Sequence, residues 1–472
     1  MVFACSTLCG FSACAPMRPS SQPPSAIQPP AAWSQAPSLA QRPADDLARW
    51  WQRLGDADLS ALIDAALRHN TSVDAARAAL QQSRALREVS AAALMPTLSG
   101  SGSAQRSRSN SATSNSWRTG LDASWEPDLF GGDHAALEAR DADAAAANAR
   151  LGDAQVSVAA EVALGYLQLR SSQARIAIAQ ANLANQQDIQ QIAQWRAQAG
   201  LASALDVEQA RAATAQTQAQ LPALDASITK AGHALAVLTG EAPGTLNARL
   251  QAARPLPLPA QDLALSLPAD TLRQRPDVRA AEAAVVAAAA RVTQADAARY
   301  PSLHLGGSIG LNALTLGSLT SGGSLAASLL ASVSMPLFDG GATQATVRAQ
   351  QAAMAQAQAS HRGVVLAALK DVEDALVALR ADRERATALA VAAQSAADAA
   401  LLARQRYQSG LIDFQTVLDT QRTQLSAQDA MAGVQADIAA DHVRLYKALG
   451  GGWTPDANTP VADAQIRPPQ KP

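Results

Sequence analysis

The chain has 472 residues and a formal net charge of −2, with 48% apolar but only 3% aromatic residues. That length suffices for two or three ordinary domains, and charges of both signs are mixed along the chain, so nothing in the sequence points to nucleic-acid binding. Alanine dominates the apolar share, and because it favours helices but fills little volume, the composition predicts long, closely packed helices. No uninterrupted apolar run reaches the ~18 residues of a transmembrane helix, so membrane insertion is expected only through strands or an anchor.

All three cysteines lie at the N-terminus, at positions 5, 9 and 14. The rest of the chain is therefore predicted to form no disulfide and to carry no thiol chemistry. Residues 1–13 are apolar or small, like the second half of a secretory signal peptide whose basic start is missing. Phe11-Ser12-Ala13-Cys14 is similar to the cleavage site of bacterial lipoproteins, with Phe where Leu is usual.

The resemblance to a lipoprotein site implies that Cys14 becomes the N-terminus and carries acyl chains such as palmitate. Ala15 follows it, which by the same resemblance favours delivery to the outer membrane. Several acyl chains together make a stable anchor. The alternative is a cysteine that stands by chance in a degraded signal. Residues 14–43 are rich in Pro, Ser and Gln without a period, which predicts a tether after the anchor.

Strict alternation of apolar and polar residues predicts two strands in the first half, at 97–106 and 117–127. The polar residues 107–116 between them predict a loop. In the second strand Trp117 and Trp125 share the apolar face, whereas charged and hydroxyl side chains share the other. Such strands, with an aromatic girdle and a polar second face, are typical of membrane barrels with a wet lumen. An amphipathic sheet on a soluble core is the alternative.

Proline-free, alanine-rich stretches predict two very long helices, at 133–199 and 342–409, which end at Gly200 and Gly410. At ~1.5 Å per residue, about 67 residues make a helix about 100 Å long. A shorter return helix is predicted after each glycine. A soluble coiled coil is the alternative, but it would leave the strands without a role.

The chain repeats itself once. Residues 70–96 reappear as 275–301, and the sequence from Gly200 onward reappears in register from Gly410 onward. One long unit is therefore duplicated. The predicted segments are a first repeat at 44–241, a Pro-rich linker at 242–271, a second repeat at 272–451 with strands at 302–312 and 325–336, return helices at 202–240 and 412–449, and a tail at 452–472. The linker, the tail and the start of the first repeat are expected to form a belt around the helices.

Four strands cannot be stable alone in lipid, because the open edges of their sheet would leave backbone groups unpaired. The chain is therefore expected to oligomerise and share the sheet. Two chains would supply eight strands, whose interior is filled by side chains, whereas three chains would supply twelve, with room for a lumen. The small polar residues of the second face favour the open lumen.

Several motifs, in this order and spacing, carry a resemblance to a known family. They are MPTL at 95–98 with YPSL at 300–303, PDLFGG at 127–132 with PLFDGG at 336–341, RPDVRAAE at 275–282, and the hairpin tips AGLASALDVEQAR at 199–211 and RYQSGLIDFQTVLDTQR at 406–422. The chain resembles TolC-like outer membrane factors, and among them the NodT-type lipoprotein subfamily of efflux channels. The resemblance covers essentially all of residues 14–451.

This resemblance implies an α+β membrane protein: a homotrimer with a twelve-stranded outer-membrane β-barrel, four strands per chain, continuous with a twelve-helix periplasmic α-barrel. It implies passive conduction of small molecules or drugs to the exterior from a periplasmic adaptor and an inner-membrane pump of the RND type. The same channel architecture serves type I protein secretion, which is one alternative. A coiled-coil lipoprotein without a pore is another. No cofactor, metal or nucleic acid is implied.

No candidate active site is found in the sequence. The histidines lie far apart, without an HExxH motif or a cysteine partner, no Ser-His-Asp order stands out, and no P-loop follows a strand. They are His69, His134, His233, His304, His361 and His442. The chain is therefore not predicted to be an enzyme.

In the family, acidic and tyrosine side chains at the hairpin tips form a constriction, and Asp206, Tyr407 and Asp419 match those positions. In a trimer each Asp becomes a ring of three carboxylates, which can gate the tunnel and select cations. The alternative is that these are solvated residues at helix ends, where Asp206 favours the helix dipole. Family members carry a basic residue two positions after the second tip glycine, but this chain has Ile412, so a lock that relies on that residue is not supported.

The adaptor is expected to contact the turns themselves. The predicted contact residues are Gly200, Leu201, Ser203, Gly410, Leu411 and Asp413. Glycine permits the sharp reversal after each long helix. Each of these residues, taken singly, is equally consistent with a turn residue that has no partner.

Overall fold

The computed structural model describes residue 33 and residues 47–109, 112–258 and 268–454. The predicted signal peptide, Cys14, nearly all of the tether, part of the linker and nearly all of the tail lie outside the described residues. The described part contains both predicted repeats.

Each repeat contains a helix, two strands, a long helix and a return helix in the same order, and the first repeat has one additional helix before them. The first comprises α1 (Ala57–His69), α2 (Thr71–Ala93), β1 (Thr97–Ser109), β2 (Ala112–Trp125), α3 (Gly132–Gln198) and α4 (Ala204–Leu238). The short helices α5 (Asn247–Leu250) and α6 (Pro268–Gln274) come next. The second repeat comprises α7 (Pro276–Ala297), β3 (Ser302–Ala313), β4 (Leu325–Ser334), α8 (Ala342–Gln408) and α9 (Phe414–Ala448).

The helices of the two hairpins have equal lengths. α3 and α8 have 67 residues each, and α4 and α9 have 35 residues each. Gln198 and Gln408 end the long helices, and Ala204 and Phe414 begin the return helices. Residues around the first hairpin tip therefore correspond to residues around the second tip at one constant difference in residue number.

The chain divides into two compact units. The described residues of the first unit lie in Leu80–Ala147 and Ala281–Arg362, which include all four strands. Those of the second lie in Ile27–Ala79, Asn148–Ala280 and Gly363–Pro472, which include both hairpin tips.

The four strands form one antiparallel sheet in the order β1-β2-β3-β4. Its register places Leu98, Ala123, Gly307 and Leu329 in one row across the sheet. The next row contains Ser99, Asp122, Ser308 and Ser328 on the opposite face, since successive residues alternate between faces. One face is thus mainly apolar and the other mainly polar, although Leu330 and Ala326 of β4 lie on the polar face.

The apolar face of the sheet is open to its surroundings. Leu329 is 91% exposed, and Leu98 and Val333 are each 70% exposed. Contiguous exposed apolar surface of this kind marks a site of contact with lipid or another protein. The outer sides of β1 and β4 have no strand partner among the described residues.

The two strand hairpins join through β2 and β3. Gly120 lies opposite Gly310 there, and a β-carbon on Gly310 would lie 2.6 Å from the backbone oxygen of Thr119. Glycine at this pair of positions therefore permits a close approach of the two backbones.

The loop predicted at 107–116 is wrong, because most of it is strand. β1 continues to Ser109 and β2 begins at Ala112, so the ladder extends past the alternating segments. The Ser107 and Ser114 hydroxyl oxygens, 2.8 Å apart, form a cross-strand hydrogen bond. Polar side chains do not interrupt a ladder whose bonds are made by the backbone.

By length and composition, α8 includes a segment apolar enough to cross a membrane, which differs from the expectation that no helix would. At 67 residues, α8 is far longer than the ~20 residues that a bilayer requires. A single alanine-rich helix of this kind is weak evidence for a helical span.

In the second unit, aromatic residues before α1 and after α9 pack against the helices. Trp50 stacks on Tyr446 with ring centroids 5.0 Å apart. Trp453 donates its indole N–H to the backbone oxygen of Gln274 over 3.0 Å. Its ring covers Gly152 of α3, where a β-carbon would lie 2.6 Å from Trp453 Cε3.

Replacing Gly152 by Ala is therefore expected to lower the unfolding temperature of the protein. Alanine favours a helix by ~1 kcal/mol over glycine, but overpacking against the Trp453 ring costs about 1–3 kcal/mol. Gly363→Ala is the matched control, since a β-carbon there meets nothing within 4 Å and should stabilise α8. Circular dichroism during heating in detergent measures both, and equal upward shifts would contradict the packing role of Trp453.

Candidate functional site

Both long helices end in the same backbone turn. Gly200 and Gly410 each have a φ of 75°, in the left-handed region that favours glycine. Leu201 N–H donates to the backbone oxygen of Arg196 over 2.7 Å, and Leu411 N–H donates to that of Arg406 over 2.9 Å. These bonds satisfy carbonyl groups at the helix ends and reverse the chain into the return helices.

The return helices begin with two different caps. Ser203 Oγ accepts from Asp206 N–H over 3.2 Å, and Asp206 Oδ2 accepts in turn from Ser203 N–H over 2.9 Å. In α9, Asp413 Oδ1 accepts from Thr416 N–H over 2.9 Å and from the Thr416 hydroxyl over 2.5 Å. Asp206 and Asp413 both therefore stabilise helix starts.

Tyr407 is the buried centre of the tip, with only 3% of its surface exposed. Its ring centroid lies 5.4 Å from that of Phe414. The surrounding apolar cluster contains Ile189, Ala193, Ala210, Ala213, Ala403, Phe414, Val417 and Leu418. Burial raises the pKa of Tyr407, and the negative charge of Asp206 raises it further, against the opposing charge of Arg196.

Arg196 of α3 holds Tyr407 in two ways. Its guanidinium carbon lies 4.6 Å from the centroid of the Tyr407 ring, within the range of a cation–π interaction. Its Nη1 donates to the backbone oxygen of Tyr407. Residues 211 positions apart in sequence are thus joined at the tip. Arg196 is not among the residues predicted from the sequence, although its match to Arg406 in the second repeat is a detectable signal.

Asp419 lies apart from the other two predicted gate residues. Its side chain is 60% exposed, accepts from Gln415 Nε2 over 3.0 Å and lies 3.7 Å from Arg422 Nη1. Both contacts are within α9, and neither involves Asp206 or Tyr407. A single chain therefore places Asp206 close enough to Tyr407 to affect its pKa and leaves the Asp419 carboxylate exposed.

The turns themselves present apolar side chains. Leu201 is 69% exposed and Leu411 is 74% exposed. Ile412 is partly buried and packs against the cluster around Tyr407. Position 412 is thus part of the apolar core of the tip.

Polar contacts also join the two hairpins away from the turns. Arg175 binds Asp429 through two hydrogen bonds of 2.6 and 2.8 Å. Arg404 Nη2 donates to Asp188 Oδ2 over 3.1 Å. Paired bonds of the Arg175 kind are geometrically specific, so they fix α3 against α9 in one register.

The two predicted girdle residues lie on the apolar face of β2. Trp125 is 38% exposed and donates its indole N–H to the backbone oxygen of Leu94 over 3.1 Å. Trp117 pairs with Ala104 and Ala313 in the ladder. At ~3.3 Å per residue the two Trp residues are about 26 Å apart along the strand.

Among the described residues, no three acidic, cysteine or histidine side chains are grouped to hold a metal ion.

Two features characterise outer-membrane channels that combine strands with helical hairpins. One is a sheet with an exposed apolar face, and the other is a pair of long helical hairpins with matched turns. The family model described as "Outer membrane efflux protein" matches residues 62–241 and 267–451, and the chain belongs to that family. It is therefore an outer-membrane efflux protein.

Individual relatives agree over nearly the whole chain. The pyoverdine export outer membrane protein OpmQ of Pseudomonas putida is 34% identical over 93% of this chain and 95% of its own length. Nodulation protein T of Rhizobium leguminosarum bv. viciae is 30% identical over 88% of this chain and 86% of its own. The solved structure of the outer-membrane channel OprN has a TM-score of 0.82 and 34% identity, covering 88% of this chain and 98% of that one.

Removing the α9 cap should loosen the second tip. We expect Asp413→Ala to speed hydrogen exchange of the Thr416 amide at pH 7, whereas Asp413→Asn retains an oxygen acceptor and most of the protection. Exchange measured by mass spectrometry on a peptide covering residues 411–420 tests this. Equal exchange in the wild type and Asp413→Ala would show that the cap has no role.

The same cap predicts a pH dependence. Hydrogen bonds from Thr416 lower the pKa of Asp413 below its ordinary value of 3.8. Stabilisation from a carboxylate with a lowered folded pKa is fully present above the unfolded value and is lost as pH falls through the folded one. Protection of the Thr416 amide should therefore persist at pH 5 and decline only below the ordinary value.

Proposed function

We propose that the chain forms a homotrimer that serves as the exit duct of a tripartite efflux pump. Twelve strands close a barrel in the outer membrane, and twelve helices form a tunnel in the periplasm. The duct is passive and is not an enzyme. A periplasmic adaptor and an inner-membrane pump of the RND type deliver small molecules to it.

The observation that carries this proposal is the four-strand sheet with two unpaired edges and one exposed apolar face. In lipid, β1 of one chain and β4 of another must pair, because no water satisfies their backbone groups. Three chains supply twelve strands, and a barrel of that size has room for a lumen. The row of Ser99, Asp122 and Ser308 would then face water.

The names of related proteins support efflux rather than protein secretion. OpmQ is described as exporting pyoverdine, and OprN as an outer-membrane channel. Cys14, at the site that resembles a lipoprotein cleavage site, would anchor each chain to the same membrane. The proposed duct has a pore, whereas a coiled-coil lipoprotein would have none.

The constriction is proposed at the hairpin tips. Threefold repetition would turn the exposed Asp419 of α9 into a ring of three carboxylates, which repel one another and attract cations. Asp206 and the Tyr407 cluster would position the hairpins behind this ring. The exposed Leu201 and Leu411 would contact the adaptor, since large apolar side chains in contiguous exposed surface mark interaction sites.

Conductance tests the duct directly. Purified protein should have the mass of a trimer in native mass spectrometry and conduct weakly in a planar lipid bilayer. Asp419→Asn should change conductance severalfold and weaken block by divalent cations, because the carboxylate ring is removed. Asp437→Asn, an exposed site elsewhere on α9, should conduct like the wild type. A trimer that never conducts, even as Asp419→Ala, would exclude the channel.

A further inference from the structure

Arg196 and Arg406 occupy equivalent positions in the two hairpins. Each lies four residues before the tip glycine, and its backbone oxygen accepts the hydrogen bond from the leucine that follows that glycine. The shift that relates Arg196 to Arg406 relates Ala197 to Tyr407. Ala193 and Ala403, one turn earlier, are both buried, so the two helix ends present the same faces.

Only one of the two arginines is engaged within the chain. Arg196 donates to the backbone oxygen of Tyr407 and lies against its ring. Arg406 is exposed and has no hydrogen-bond or ion-pair partner among the described residues. A β-carbon on Gly410 would lie 3.7 Å from Arg196 Nη2, whereas one on Gly200 would meet nothing within 4 Å. The first tip therefore has open space where the second tip has an arginine.

We propose that Arg406 of each protomer donates to the backbone oxygen of Ala197 of the partner subunit, across the seam between chains. This inference rests on the proposed trimer. In a ring of three chains the first and second hairpins alternate, so the face of the second hairpin that carries Arg406 meets the face of the next first hairpin that carries the partner's Ala197. Six arginines then close the ring, three within chains and three between them.

The two kinds of contact are unequal. Within a chain, Arg196 binds a carbonyl and an aromatic ring, but the partner's Ala197 has no ring to cover. Within a chain, Arg404 also forms an ion pair with Asp188. The equivalent positions at the seam are Gln194 and Asp398, which cannot form an ion pair. The seams between chains are therefore the weaker junctions, and the tip opens there first.

Cross-linking distinguishes the two junctions. Residues 15–472 contain no cysteine, so introduced pairs report cleanly once a Cys14-only control is included. Gln198→Cys with Arg406→Cys, treated with a short bis-thiosulfonate, should give dimers and trimers on a denaturing gel. The equivalent pair Arg196→Cys with Gln408→Cys should remain monomeric on the gel and yield linked peptides within one chain.

The outcomes separate this inference from the proposed function. If the Gln198→Cys, Arg406→Cys variant is a trimer in native mass spectrometry but stays monomeric on the gel, position 406 does not lie beside the partner's Ala197, and the inference is overturned while the duct remains intact. Absence of any trimer would instead overturn the proposed function.

Conductance provides a second test. Arg406→Ala should raise the resting conductance of the trimer severalfold, because three seam contacts are lost. Arg385→Ala removes the same charge from an exposed site on α8, where Asp382 is its partner in the same helix, and should leave conductance unchanged. Wild-type conductance of Arg406→Ala would overturn the inference.

Discussion

Each N–H and C=O group of a strand in lipid needs a partner, because no water is available there. In this chain β2 and β3 are paired on both sides, whereas β1 and β4 each have one side without a strand partner among the described residues. In the proposed trimer, that requirement makes the four-strand sheet part of a larger barrel. The apolar face of the same sheet is exposed in a single chain, with Leu329 almost fully accessible, and in the proposed barrel this face would contact lipid.

The duplication provides the strands and helices of the chain as two copies of one unit. Each repeat supplies two strands, a long helix and a return helix, and each tip reverses at a glycine in the left-handed region. The caps exchange their residue types: Ser203 with Asp206 in the first tip corresponds to Asp413 with Thr416 in the second. Both arrangements satisfy the free N–H groups at a helix start, so the copies could diverge without losing the turn.

Much of the fold could be predicted because its signals are local. The long helices follow from proline-free alanine-rich sequence, and the alternation in residues 97–106 marks a strand and its apolar face. The strand ends were less predictable, since backbone pairing carries β1 to Ser109 through residues without apolar alternation. At the tip, Tyr407 and Asp206 could be found by resemblance, but the contact of Arg196 with Tyr407 could not, because the two residues are 211 positions apart.

The sequence by itself determined the helices, the strand faces, the duplication and the turns, because each depends on residues within a few positions of one another. Only the tertiary structure decided which distant groups meet. It placed Arg196 on Tyr407 and Trp453 over Gly152, and it paired β2 with β3 through Gly120 and Gly310. Those contacts depend on how whole elements pack, and close packing selects partners by shape and reach rather than by spacing along the chain.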